Sequence, residues 1–458
     1  MAATLRKATP CCLLAGWWML MLALAAAVVS PVSAQPVLPV IEQSQSTPVP
    51  TDPDQLSFHL LTVDAGDHVW DNFGHTALRV VDEANGTDLV FNWGLFDTSG
   101  GLIPFGWRFM QGVMDYQLGV VPTEWELDRY QREQRTVWQE RINLTGEQKV
   151  RLYRRLAWNL REGNTSYAYH YFEDNCTTRV RDYLDEALGG ALSEQSRGQV
   201  SSTWRDEVRQ HYRSLPPVAV GLDVLLNARV DESMSRWEVL FLPLELRQRL
   251  QSIDSSVVEN GRTLPLLSDT DVLLDFAPPP DRGNGYHFVA GLLLPLGLLS
   301  LAIRRIPISS LSSARGYRLA GAGISYRVLG LVGLLLCLFS GLTGSMMLFA
   351  WLASSHEVLH ANINLLLFWP TDLLLLGYAL RWLLAGAPVT ASTHKHQWIV
   401  AYLMLHGLAG LIYLFLGITG LVEQRVGALL LFVLPVLLLF AVIVGMAGFR
   451  TVRPIRFS

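Results

Sequence analysis

The stretch Tyr171-Phe172-Glu173-Asp174-Asn175-Cys176-Thr177-Thr178-Arg179 sets a cysteine directly behind Asp174 and Asn175, two residues that cap helix starts. The helix it opens runs to the stop signal Gly189-Gly190. A thiol in a first helical turn feels the positive end of the helix dipole and is a better thiolate for it. Arg179, three residues on, is expected on the same face and pushing the same way. Upstream, residues 57–63, 75–81 and 89–95 read as strands. Thr145 with Gln148 makes a capping box ahead of a charged amphipathic helix that runs to about Arg161. The order of elements is mixed α+β.

A nucleophilic thiol needs a base, and the same region offers His59, His68, His75, His170, His211 and His287. His75 stands out because it follows Gly74 at the start of a strand, in Phe73-Gly74-His75-Thr76, where glycine lets another backbone approach closely. One strand later, Asn92 in Phe91-Asn92-Trp93-Gly94 is a polar side chain suited to orient an imidazole. The plain alternatives are a buried, inert cysteine and strand residues that simply satisfy hydrogen bonds.

The chain has 458 residues, 50% of them hydrophobic and 17% charged, which argues against a purely soluble protein. Residues 35–285 carry 23 Lys+Arg against 37 Asp+Glu, and residues 286–458 carry 11 against 3. An acidic soluble part does not suit nucleic acid, whose phosphates need a basic surface. Residues 1–34 read as a secretory signal: Arg6 and Lys7, an apolar run, then the small residues Val32-Ser33-Ala34. An uncleaved signal anchor is the alternative, and either way residue 35 onward is exported. Residues 35–56 are a Pro-rich linker, residues 57–245 the exported domain, and residues 246–285 a connecting segment ending in the leash around Pro278-Pro279-Pro280. Only Cys176 of the four cysteines lies in the exported domain, so no disulfide forms within it.

Residues 286–458 hold five apolar runs, near 286–303, 328–352, 365–384, 398–421 and 426–448, and are expected as an all-α domain of five transmembrane helices. With the soluble domain outside, ten Lys and Arg fall in inner loops and Arg425 alone in an outer one, which is the positive-inside pattern. His356 and His360 lie in the outer loop before the third run, where they are candidates for a lipid head group or plain solvated residues. Asp372, two residues after Pro370 within an apolar run, is expected to cap an interrupted helix or to face a polar pocket. Residues 96–120, with Phe105, Trp107, Phe109, Met110 and Met114 among glycines, suit acyl chains or a core loop equally.

Leu60-Leu61-Thr62-Val63-Asp64-Ala65-Gly66-Asp67, Trp70-Asp71-Asn72-Phe73-Gly74-His75-Thr76, Phe91-Asn92-Trp93-Gly94 and the Cys176 stretch together resemble the Lnb N-terminal periplasmic domain family, named for a lipoprotein N-acyltransferase of Bacteroides. The resemblance covers about residues 57–245. A weaker similarity extends to His356 and to Asn362-Ile363-Asn364-Leu365-Leu366. The order of His, polar residue on the next strand and Cys opening a helix is also similar to the permuted NlpC/P60, papain-like arrangement of lecithin:retinol acyltransferases. These resemblances imply Cys176 as nucleophile, His75 as base and Asn92 as orienter, with Asn175, Asp174 and Arg179 in support. They also imply a bacterial inner-membrane, multi-pass protein with its N-terminal domain in the periplasm.

The function expected is transfer of a fatty acyl chain from a membrane phospholipid, through a Cys176 thioester, to an amine such as the N-terminus of a lipoprotein. A cell-wall amidopeptidase of NlpC/P60 type, a lipid hydrolase and a non-enzymatic membrane scaffold are the rivals. No cofactor is expected. No metal is expected either, because His59, His68, His75 and Cys176 show no short ligand spacing.

Overall fold

Apolar residues recur through Leu56–Val63 (β1), His75–Asp82 (β2) and Thr87–Leu95 (β3). The three pair antiparallel in a register that sets Val63 opposite His75 and Leu78 opposite both Leu60 and Phe91. The computed structural model describes residues 52–95, 107–108, 111–112, 115–283, 297, 322–386, 393–425 and 427–446. The expected signal, the linker up to residue 51 and, but for residue 297, the first apolar run lie outside the described residues.

Asp115–Pro122 (β4), Thr123–Arg132 (α1), Val137–Ile142 (β5), Gly146–Asn159 (α2), Ser166–Ala168 (β6) and Cys176–Ala187 (α3) follow. Next come Gln199–Thr203 (β7), Trp204–His211 (α4), Pro216–Leu225 (α5), Ser233–Ser235 (β8) and Pro243–Gln251 (α6). Asp254–Glu259 (β9), Arg262–Pro265 (β10) and Leu267–Leu274 (β11) end the domain. Seven strands form one antiparallel sheet in the order β11-β5-β1-β2-β3-β4-β6. Because side chains alternate across a strand, both faces are covered. Leu60, Leu78, Val80 and Trp93 pack with Leu156 of α2 and Leu184 of α3 on one face. Val63 and Val137 pack with Tyr130 of α1 on the other. Asn159 fastens the helical side, accepting from the Trp93 indole (3.0 Å) and the Tyr183 hydroxyl (2.6 Å).

Local rules place most of these elements. Thr145 and Gln148 make the expected capping box, and α2 stops at Asn159, just short of Arg161. Residues 246–285, expected as a connector, instead carry the end of α6, the β9–β10 hairpin and β11, which pairs with β5 at the sheet edge. The polar, exposed middle of this edge strand, Asp269 to Asp271, interrupts its apolar residues and weakens the strand signal in the sequence.

The remainder is helical. Ala322–Ala353 (α7) leads into an outer loop, and the next run is broken into 3-10 turns Ile363–Leu366 and Pro370–Leu375 ahead of Leu376–Ala385 (α8). Pro370 has no N–H to continue a helix, which fixes the break. Thr393–Thr419 (α9) and Gly427–Met446 (α10) pack side by side. Among the described residues, Gly323–Ala353 and Gln397–Thr419 are long and apolar enough to cross a bilayer. The pair Glu357–Leu366 and Pro370–Ala385, bent by 52°, makes a third if it counts as one span.

The two halves are welded by polar side chains on apolar packing. Val220 and Val224 of α5 pack with Met347, Leu367, Phe368 and Tyr413 of the membrane half. Asn362 donates to the carbonyls of Val224 (3.0 Å) and Leu225 (2.8 Å), which the end of α5 leaves free. Asn227 donates to those of Glu357 and His360 (2.7 Å each). Arg425 reaches Asp206 at 2.7 Å, while buried Arg205 grips Asp223 and Asp231 beneath it.

Candidate active site

Cys176 is the first residue of α3. Asn175 is the N-cap, its Oδ1 accepting the N–H groups of Thr177 and Thr178 at 2.9 Å each. The cap residue is itself anchored, donating to the carbonyls of Tyr171 and Phe241 at 3.2 Å. This cap leaves the Cys176 N–H unconsumed at the positive end of the helix. His75 opens β2 because Gly74 holds φ +82°; a Cβ there would meet the Val63 carbonyl at 2.6 Å. His75 and Cys176 line the same cleft and interact electrostatically, and Nε2 of His75 lies 2.7 Å from Oδ1 of Asn92 on β3. The three predicted residues therefore meet at one cleft, lined also by Gly94, Tyr116, Tyr169, Arg129 and Arg135.

Electrostatics favour the charged pair. Burial alone would raise the Cys176 thiol, but the His75 imidazole, the Thr76 N–H and the Thr177 hydroxyl outweigh it and bring the thiol down to about 7. Burial likewise works against a charge on His75, and Cys176 overcomes it and raises the imidazole above its ordinary value. Burial first, and then the charge of the neighbouring Cys176, hold the phenols of Tyr116, Tyr167 and Tyr169 above their ordinary value.

Of the supporting residues Asn175 is the expected cap, while Asp174 and Arg179 take different places. Asp174 is not the cap: its backbone bridges to His170 and its carboxylate pairs with Arg179. Arg179 is thereby spent on Asp174 and on the Tyr167 ring, 4.1 Å away, and braces the loop rather than the thiol. His287 lies outside the described residues, and the other candidate bases of the domain contact other side chains. His59 meets Ser57, His68 stacks on Trp70, and His211 packs on Phe73. Among the described residues no three His, Cys, Asp or Glu side chains are placed to hold a metal.

The membrane-half candidates do not converge on the thiol. His356 is buried and its ring meets that of His170 at 5.9 Å; His360 Nε2 donates to the Ser354 carbonyl at 2.8 Å. Asp372 is buried among Ser340, Tyr402 (2.7 Å) and His406 (3.5 Å), so it faces a polar pocket; it lies inside the 3-10 segment, whose N-cap is Trp369, and does not cap it. Of residues 96–120, Phe105, Phe109, Met110 and Met114 lie outside the described residues. Trp107 stacks on Phe349 of α7 at 4.6 Å, and Ser355 binds the carbonyls of Gln111 (3.0 Å) and Gly112 (3.1 Å).

Glu126 is the residue that sequence reasoning missed. It is fully buried on α1 and accepts from the Asn92 amide at 2.6 Å, with Arg129 on the same oxygen. Burial disfavours its charge, but Arg129 dominates and keeps the carboxyl below its ordinary value. A signal was present: Thr123, Glu126 and Tyr130, the buried residues of α1, follow the i, i+3, i+7 spacing of an inward stripe.

Comparison with curated proteins and with solved structures gives no match. The family model of the Lnb N-terminal periplasmic domain matches residues 47–210, a span that contains β1 to α3 and all of His75, Asn92, Glu126 and Cys176. Residues 47–210 thus match the Lnb N-terminal periplasmic domain family, in a chain whose described residues include two helices, or three with the bent pair, long and apolar enough to cross a bilayer.

Proposed function

We propose that the protein is a membrane-tethered periplasmic thiol acyltransferase. The observation that carries the reading is the Cys176–His75–Asn92 contact in a cleft whose nucleophile loop, through His170, rests on the outer loop of the membrane half. His75 takes the thiol proton, the sulfur attacks an ester carbonyl of a membrane phospholipid, and the Cys176 N–H holds the oxyanion. The ester C–O bond breaks, the imidazolium returns its proton to the departing alcohol, and a thioester remains. An amine then attacks this carbonyl, an amide forms, and the thiol is regenerated. The N-terminal amine of a lipoprotein is the acceptor that the family resemblance supports. The same reading takes residues 57–245 as a permuted papain-like domain. It takes five spans, the first at 286–303, as its multi-pass anchor in the bacterial inner membrane behind a signal and linker.

Purified protein incubated with phospholipid should gain an acyl mass on Cys176 that hydroxylamine removes, and His75→Ala should not. Absence of the adduct in wild type, together with cleavage of peptidoglycan fragments, would overturn the reading in favour of an amidopeptidase.

A further inference from the structure

Cys176, His75, Asn92 and Glu126 form one line from the cleft into the core, and its buried end governs its open one. An ionised carboxylate has no proton to give, so the Asn92 atom that meets Glu126 Oε1 at 2.6 Å is the amide nitrogen. Oδ1 is then the atom left for His75, and an amide oxygen only accepts. Nε2 of His75, 2.7 Å away, must therefore carry the proton, which leaves Nδ1 as the basic nitrogen for the thiol. With the Asn92 amide reversed, Nδ1 would hold the proton and the base would be lost. A neutral glutamine in place of Glu126 could either donate or accept, and would impose no such direction. A fully buried carboxylate is costly to desolvate, and Arg129, bonded to it, preserves its charge.

We propose that Glu126 is a positioning residue: it fixes the orientation of the Asn92 amide and, through it, the His75 tautomer that activates Cys176. The proposal rests on the thiol–imidazole reading above, and its test separates the two. Full-length protein in detergent is treated with iodoacetamide from pH 5 to pH 10, and the rate of Cys176 modification is followed by peptide mass spectrometry. Glu126→Gln should move the profile up by about one pH unit and slow the reaction near neutrality about tenfold. The exchanged pair, Asn92→Asp with Glu126→Gln, should restore it, because the new carboxylate accepts both from Nε2 and from the glutamine amide. If Glu126→Gln does not fold, the exchanged pair is read alone, and a profile displaced from wild type overturns the proposal. A Glu126→Gln profile that superimposes on wild type while His75→Ala is displaced overturns it too. If His75→Ala also superimposes, the thiol–imidazole reading itself fails.

Discussion

The imidazoles of His170 and His356 meet at a ring-plane angle of 65°, their centroids 5.9 Å apart. His170 begins the loop that delivers Asn175 and Cys176 to the head of α3, and His356 follows α7 in the outer loop of the membrane half. The segment that carries Cys176 thus touches the loop between α7 and the broken apolar run that follows it.

Reactivity of Cys176 should titrate well below an ordinary thiol. Burial opposes this and His75 outweighs it, so alkylation should be half-maximal near pH 7 in wild type. The thiolate is lost as pH falls through that value and present above it. In His75→Ala the midpoint should climb toward the ordinary 9.0 or beyond, since burial is then opposed only by the Thr76 N–H and the Thr177 hydroxyl. Iodoacetamide rates across pH measure both.

Asn175→Ala removes the acceptor of two first-turn N–H groups and two donations to backbone carbonyls. A lost cap costs about 1 kcal/mol, and stranded buried groups about 1–3 kcal/mol more. Denaturant unfolding of the full chain should show a drop of that size, with a slower Cys176 reaction in the protein that remains folded. Asn175→Asp, which keeps the acceptor, should lose less.

Arg205→Met should be severe. Arg205 is 1% exposed and bonds Asp223, Asp231 and the carbonyls of Leu226 and Asn227. Removing one partner from a buried ion network costs roughly 3–5 kcal/mol. Arg425→Ala, which breaks a half-exposed pair with Asp206, should cost under about 1 kcal/mol. Equal losses for the two variants in the same unfolding assay would contradict this ranking.

Asp372→Leu should weaken the membrane half without touching the thiol. It leaves the Ser340 and Tyr402 hydroxyls without their shared acceptor, at about 1–3 kcal/mol for a buried group left unpaired. A lower melting temperature in detergent with an unchanged Cys176 alkylation profile is the expected outcome.

The first three strands and the two capped helices were legible because short-range rules place them: alternation, Thr145 with Gln148, Asn175 before Cys176. His75, Asn92 and Cys176 were legible for the same reason, each standing at an element boundary or as a polar break in an apolar strand. What escaped was set by long-range pairing. β11 joins β5 across more than a hundred residues and carries a weakened strand signal. Glu126 reads as one charge on a charged helix until Asn92 is brought beneath it. Asp174 and Arg179 looked like contributors to the thiol from spacing alone, yet each satisfies the other.

The seam made by Asn362, Asn364 and Gln424 on the carbonyls at the end of α5, and by Asn227 on those of Glu357 and His360, bears on how the lipid donor proposed above would arrive. Backbone acceptors gripped by neighbouring amides do not come apart as a hinged lid does, and the Val220–Phe368 packing beneath adds to the hold. The soluble half is better pictured as masonry than as a pendulum. On the acyl-transfer reading proposed above, traffic into the cleft falls to the cargo, which has to climb or slide to a fixed sulfur.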